Sequence, residues 1–379
     1  MTIDLDQAQA TFDEAEDLTV GVEEEFAILA PGSLEMLPLF ERLRDAADAD
    51  EELGPYVTGE LISSEIEIIS GRGEHLAGAL ESQRERRRRL FALAAEHEVL
   101  LGATGTHPWA DYREQQVIDT EHYRRVAADL CYVARRNNTF SLHVHVGVRG
   151  IDRAVRVCDR LRGVLPQLLA ISANSPYVDG CDSGLHSART QIFTKSFPRC
   201  GIPDDFGGWP QYRSYIETLE RVGSIIEFTQ VWWSVRPHFR FGTVEVRICD
   251  VQMTAAESDG LASLIVACVA QAAREVDEGR PYTALAPRLV EENMWRAIRY
   301  GMDGQLIDFA AGAQYPAREA VDRLLEWTAP LREELAIAVT LPPRNGAQRQ
   351  RQLIEQGQEP PDVYADAVRQ TTESYGRGQ

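Results

Sequence analysis

Four short segments of this sequence place apolar residues at every second position and mostly ionisable or small residues between them. A strand alternates its side chains between two faces. In VGVEEEF (20–26), Val20, Val22, Glu24 and Phe26 therefore form one row, and Gly21, Glu23, Glu25 and the following Ala27 the other. In SSEIEIIS (63–70), Ser64, Ile66 and Ile68 oppose Ser63, Glu65 and Glu67. In SLHVHVGV (141–148), Leu142, Val144, Val146 and Val148 oppose His143, His145 and Gly147; in TVEVRICD (243–250), Val244, Val246 and Ile248 oppose Thr243, Glu245, Arg247 and Cys249. Strands with one apolar and one polar face make an antiparallel sheet packed on one side. With helical periodicity over 36–49, 74–98, 120–136, 152–174, 211–223 and 255–278, and helices onward to 339, the expected class is α+β, the helices covering one face of the sheet.

The polar rows do not read as an ordinary solvated face, which would mix in Thr, Lys, Ser and Gln. They carry carboxylates, two histidines and an arginine, with glycines of the kind that mark close approach of another group. Two ionised carboxylates about 7 Å apart, as Glu23 and Glu25 would be, repel by roughly 2 kcal/mol at an effective dielectric near 20. Four such rows together predict a site to which positive charge is supplied. Glu24, on the packed side, is expected to meet an arginine or to reach solvent.

The formal net charge of −20 argues against nucleic-acid binding, which needs a basic face. The six cysteines are scattered without a CxxC pair, which fits free thiols in a reducing compartment. The acidic first residues lack the apolar core of a signal peptide, and no stretch is apolar enough to span a bilayer. A cytoplasmic protein without a membrane partner is expected. Residues 1–17 are expected to be loose, and 18–379 to form one catalytic domain that includes a polar tail from about 342. The arginine-rich run at 84–89 is expected to be the solvated face of a long helix.

Carboxylates with histidine and no cysteine favour a hard ion, Mg²⁺ or Mn²⁺. Mg²⁺ commonly shares its coordination sphere with substrate phosphates, so the rows point to a metal–nucleotide site. There is no P-loop and no strand-linked GxGxxG; GATGTHP (102–108) has neither the spacing nor the lysine. Any ATP would be held by metals and arginines on a sheet surface. The same face would also suit a two-metal phosphohydrolase or a nucleotide sensor without turnover.

VGVEEEF, GTHPWA, LHVHVGV, NSPYVDGCDSGLHSART, TVEVRICDVQMT, WRAIRYGMDGQLID and NGAQRQR occur in the order seen in the carboxylate–amine ligases, also called type 2 glutamate–cysteine ligases. The chain resembles that family from about residue 18 to 370. The resemblance implies the glutamine-synthetase-like fold, a curved antiparallel sheet holding Mg²⁺-ATP on its concave face. It implies ATP-dependent joining of glutamate, through an acyl phosphate, to cysteine or another amine, and leaves a homo-oligomer open.

By the same resemblance, Glu23, Glu25, Glu60, Glu67, His143 and Glu245 match metal ligands, with Glu60 just before its strand. His143, His145 and Arg247 match positions that contact the nucleotide. Arg247, Arg236 and Arg240 are candidate catalytic cations, the last two alternatively core-edge or surface arginines. Arg189 matches the holder of the glutamate α-carboxylate. Glu65 is a weaker match because the family often has an amide there. His107 is either a site or a turn residue, and Lys195, the single lysine, reads as a surface residue. Asn345, Gln348 and Arg349 match a family motif that would fold the tail over the pocket.

Overall fold

The alternating rows build a single antiparallel sheet. The computed structural model describes residues 3–376, and in it the main strands are β1 (Val20–Leu29), β2 (Val57–Thr58), β3 (Glu65–Ile69), β4 (Leu100–Gly102), β5 (Ser141–Gly147), β6 (Val235–His238) and β7 (Thr243–Asp250). Their order is β6-β7-β5-β1-β3-β2, with β4 paired to the end of β1. Register follows from the apolar rows: Val22 faces Val144, and Val144 faces Val246, while Phe26 faces Ile66. A slip of one residue would turn every valine of a strand to the other face.

The long helices cover the valine side. Among them, α1 (Leu76–Glu96), α2 (Ile151–Leu161), α3 (Leu165–Ser172) and α4 (Ala255–Asp277) pack against the sheet, and α5 (Pro360–Gly376) packs on α1 and β4. The longest, α4, starts at a capping box in which Thr254 accepts from the Glu257 amide and Glu257 returns the bond. Its small and branched apolar residues are buried on nearly all sides, as expected of a helix inside the layer.

Glu24 is fully buried in the middle of the apolar face. One of its oxygens accepts from Arg87 Nε at 2.5 Å and Gln83 Nε2 at 2.7 Å; the other accepts from Ser258 Oγ at 2.6 Å and Tyr375 Oη at 3.1 Å. Arg87, on α1, also donates to Asp259 Oδ1 at 2.7 Å and Ser258 Oγ at 3.0 Å. This network ties α1, α4 and α5 to the central strand. It also corrects the solvated reading of the arginine run: Arg87 is 1% exposed, because its helix position faces the sheet.

Four further expectations change. Residues 5–14 are a helix rather than loose chain, with Leu5, Ala8 and Phe12 buried; residues 1–2 lie outside the described residues. The 152–174 helix is two helices, α2 and α3, and the helical region to 339 contains a hairpin, Gln305–Asp308 with Ala313–Pro316. The polar tail forms two helices, Gly346–Glu355 and α5, with 377–379 outside the described residues. No described helix is long and apolar enough to cross a membrane.

Removing one partner of a fully buried, hydrogen-bonded ion pair leaves a stranded charge. Arg87→Met is therefore expected to lower the unfolding free energy by about 3–5 kcal/mol in urea denaturation, and addition of Glu24→Leu to recover most of it. A single-variant loss below about 1 kcal/mol would show that this pair does not hold the layers together.

Candidate active site

The polar rows meet in one cavity of about 340 Å³ on the face opposite α1–α4. β1 supplies Glu23 and Glu25, β3 supplies Glu67, β5 supplies Ser141, His143 and His145, β6 supplies Arg236 and His238, and β7 supplies Glu245 and Arg247. Glu60 enters from the segment before β3, and Arg189 from the helix Ala188–Ser196. Register brings these groups together: Glu25 lies opposite Glu67, Glu23 opposite His143, and His145 opposite Glu245.

His143 stands between two carboxylate clusters. Its Nδ1 is 3.3 Å from Glu23, its Nε2 3.9 Å from Glu25, and its Nε2 2.8 Å from Ser141 Oγ. Ser141 donates its amide and its hydroxyl to Glu25, each at 2.5 Å. His145 Nε2 lies 3.2 Å from Glu23 and 3.8 Å from Glu245, and its Nδ1 is 2.9 Å from Thr243 Oγ1. Two groups bring donor atoms within 4.8 Å of one another, Glu23–His143–Glu245 and Glu25–Glu67–His143.

The charges are unevenly answered. Arg236 Nε donates to Glu245 at 2.6 Å and Arg247 also binds Glu245, so two arginines serve one carboxylate. Burial works to raise Glu245, but Arg236 and Arg247 outweigh it and hold the group well below the usual carboxylate range. Glu23 is likewise held low despite burial, by His145 and His143. On the β3 side the arginines answer only part of the charge. Burial, then Glu25, pushes Glu60 up to about 8; burial, then Glu23, raises Glu67 well above its ordinary value. Burial, followed by the Arg247 charge, lowers His143 and leaves a neutral imidazole with a lone pair. A donor set of carboxylate oxygens and one neutral imidazole, short of positive charge, fits a divalent Mg²⁺ or Mn²⁺.

Arg189 is placed by its surroundings. Its Nη1 donates to the Ile248 carbonyl at 3.1 Å and its Nη2 to that of Arg247 at 3.2 Å. Asp250, buried at the end of β7, accepts from the Asn174 amide at 2.8 Å, Ser175 Oγ at 2.7 Å and Ser187 Oγ at 2.9 Å, which seats the start of the Arg189 helix. Asp250 reaches the cavity side because β7 bulges between Val246 and Cys249. The same bulge turns Cys249 to Leu142 and into the core, against strict alternation.

Other predicted residues lie elsewhere. Arg240 is exposed in the turn between β6 and β7, where the hairpin geometry carries it past the cavity, over Phe241. His107 is buried in its own turn, accepting from the Trp109 and Ala110 amides with its Nε2 2.7 Å from the Leu34 carbonyl. Lys195 is about half exposed beside Glu291. Glu65 is buried next to the cavity without lining it, and neither carboxylate oxygen has a hydrogen-bond partner. The tail does not close the pocket. Asn345 and Gln348 cap their own helix, Asn345 Nδ2 donates to the Ala170 carbonyl at 2.8 Å, and Arg349 pairs with Glu257 at 2.5 Å. A Cβ on Gly346 would collide with Asn174, so this motif docks the tail behind the sheet.

Sequence reasoning missed the roof. Tyr123, Val126 and Leu130 come from the helix Glu121–Leu130, and Glu227, Gln230 and Trp232 from a 3₁₀ turn, Phe228–Gln230, and the two-residue strand after it. Neither has strand alternation to reveal it; Ser141 and His238 share parity with predicted residues and were open to detection. Beyond Glu23 and His145 lies a second, apolar cavity of about 180 Å³, lined by Val20, Val22, Ile69 and Phe241 among others.

A model of glutamate-cysteine ligase family 2 (GCS2) matches residues 19–373. A candidate glutamate–cysteine ligase 2-2 of Rubrobacter xylanophilus is 38% identical over 311 residues, 82% of this chain and 80% of its own. A candidate glutamate–cysteine ligase 2 of Solibacter usitatus is 35% identical over 350 residues, 89% of either chain. Among solved structures, the glutamate–cysteine ligase of Francisella tularensis in complex with AMP aligns with a TM-score of 0.66 at 11% identity, over 96% of this chain and 90% of that one. The bifunctional glutathione synthetase of Pasteurella multocida gives 0.65 at 14% identity over 98% of this chain, which spans about half (54%) of that protein. These structural likenesses concern the fold. Because the family match covers nearly the whole chain and relatives matched over at least 80% of their length stand above a third identity, the chain belongs to glutamate-cysteine ligase family 2.

Proposed function

We propose that this protein is an ATP- and Mg²⁺-dependent ligase that joins the γ-carboxylate of glutamate to an amine, cysteine being the acceptor its relatives' names carry. The observation that carries this reading is the excess of buried carboxylate over cation in a single cavity. Glu23, Glu25, Glu67, Glu245 and His143 would hold Mg²⁺, with Glu60 beside them; bound there it would neutralise charge on the ATP phosphates. The apolar cavity beyond Glu23 and His145 suits a purine, whose phosphates would then lie over the carboxylate rows. Free cysteines among the described residues support the cytoplasmic setting expected from the sequence.

In this reading a γ-carboxylate oxygen of glutamate attacks the γ-phosphorus of ATP. The bond to the bridging oxygen breaks and ADP leaves, giving an acyl phosphate. The amine, arriving as ammonium, loses one proton, its nitrogen attacks the acyl carbon, and phosphate departs with the C–O electron pair as the second proton is lost. Arg247 faces the transferring phosphoryl group, with Arg236 fixing Glu245 beneath it. Arg189, whose buried Nε has no partner, meets the glutamate α-carboxylate. The roof of Tyr123, Val126 and Trp232 keeps water from the acyl phosphate.

Two outcomes are expected. Mn²⁺ at about 100 times its dissociation constant adds about 2.7 kcal/mol to folding stability, read as a raised melting temperature, and Glu25→Gln/Glu67→Gln abolishes the response. A full response in the double variant contradicts the ligand assignment. ADP release requires glutamate and an amine together, falls by about 100-fold or more in Glu23→Gln, and stays within about twofold in Arg240→Ala. Phosphate release that ignores glutamate would identify a phosphohydrolase instead, and ATP binding without turnover a sensor.

A further inference from the structure

The apolar slot beyond Glu23 and His145 holds a glycine that the fold does not need. A strand keeps glycine, at a cost in entropy and packing, for a left-handed backbone, a tight contact or the close approach of a ligand. Gly71, which lines the slot, has the first reason, with φ +62°. Gly147, on neighbouring β5, has the second, since a Cβ there would collide with the Glu16 carbonyl oxygen. Gly21 has neither. Its φ lies outside the left-handed region, and an added Cβ would meet only His145 Cβ at 3.5 Å and the Gly71 carbonyl oxygen at 3.7 Å, both ordinary contacts. It is partly buried, in the row of Glu23 on the open face of β1. A side chain there would enter the slot, and its floor is bare instead.

One wall of the slot is an aromatic ring left uncovered. Phe241, in the turn after β6, is 51% exposed, and among the described residues it is the one exposed large apolar side chain that lines either cavity. The ring is nonetheless held in place. It stacks on buried His238 with centroids 4.5 Å apart and planes 13° from parallel, and it meets His145 edge-on at 5.6 Å. Arg240, exposed and 5.6 Å from the ring centroid, covers it only weakly. Hydrogen-bonding groups nearby are already engaged: Thr243 Oγ1 with His145 Nδ1 at 2.9 Å, and Ser70 Oγ with the Val22 amide and the Gly71 carbonyl, each at 2.8 Å. The slot therefore offers aromatic and apolar surface, which suits the face of a flat ring. Glu23 and His145 line both cavities, so a molecule in the slot continues directly onto the carboxylate rows.

Resting on the ligase reading above, we propose that Gly21 and Phe241 seat the nucleobase. The ring lies over the bare floor at Gly21 and stacks against Phe241, which His238 and His145 hold in position. Base binding in the slot then fixes where the phosphates cross Glu23, and it is separable from the hold that metal and arginines have on those phosphates.

The test compares ATP with tripolyphosphate, which carries the phosphates and lacks the base, by titration calorimetry in the presence of Mn²⁺. Wild type is expected to bind ATP about tenfold or more tightly than tripolyphosphate, the factor that one stacked base supplies. Gly21→Val fills the floor in a strand that favours branched residues, and Phe241→Ala removes the platform from an exposed turn. Each is expected to weaken ATP by about tenfold or more and to leave tripolyphosphate within about twofold, which also shows that the site is folded. Equal affinity of wild type for the two ligands overturns the base seat, and glutamate-dependent ADP release in the same preparation leaves the ligase reading standing. Unchanged ATP binding in a variant overturns the part given to that residue, and an equal loss of both ligands marks the residue as structural and overturns it as well. If wild type binds neither ligand, the ligase reading falls and the base seat with it. Should Gly21→Val not fold, Phe241→Ala and the wild-type comparison decide the question.

Discussion

Too many carboxylates face too few cations on one side of a rigid sheet, and the rest of the site is arranged around that imbalance. Glu25, Glu65, Glu67 and Glu245 are buried, Glu23 and Glu60 nearly so, and the arginines lining the cavity are Arg189, Arg236 and Arg247. Two of these serve Glu245, which leaves the β3 side under-compensated and its carboxyl groups raised by burial and by neighbouring carboxylates. A chain gains nothing in stability from such an arrangement. It persists because the backbone ladder fixes the carboxylates at strand spacing, and the ladder is fixed by the valine and isoleucine rows behind it. Sites that strain the fold in this way are where function concentrates.

The opposite face of β1 shows the contrast. Glu24 sits one residue from Glu23 and Glu25, yet every oxygen has donors and an arginine lies against it. The sequence EEE thus contains a satisfied structural charge flanked by two charges on the open face. Asp250 does comparable work at the end of β7, where three bonds from one carboxylate seat the segment that delivers Arg189. The bulge after Val246 makes this possible by turning Cys249 inward and Asp250 toward the cavity.

Alternation made most of the sheet legible, because one buried face forces period two on each strand. The positions of Glu23, Glu25, Glu67, His143, His145 and Glu245 on a common face follow from it directly, and so does the α+β class. What alternation could not convey was where it breaks. A single extra residue in β7 reversed Cys249 and Asp250. Arg240 sits only four residues from Arg236, yet the turn between them and β7 sends it outward. Arg87 looked like part of a charged helix face until its partner on β1 was in view. The roof was silent because Tyr123 and Glu227 come from a helix and the start of a 3₁₀ turn whose places depend on tertiary packing, as with the Tyr123 bond to Gly59. The helical motif at 345–349 resembled a pocket closure in sequence but is a docking device in structure.

In the proposed reaction a glutamate carboxylate takes the γ-phosphoryl group of ATP over these carboxylate rows. Glutamate labelled with ¹⁸O in its γ-carboxylate, incubated with ATP, Mg²⁺ and a productive amine, tests it in one step. If an acyl phosphate forms, one labelled oxygen leaves with each phosphate, and mass spectrometry of the phosphate finds it. Phosphate released without label, alongside ADP, would mean that water attacked ATP and would contradict the account.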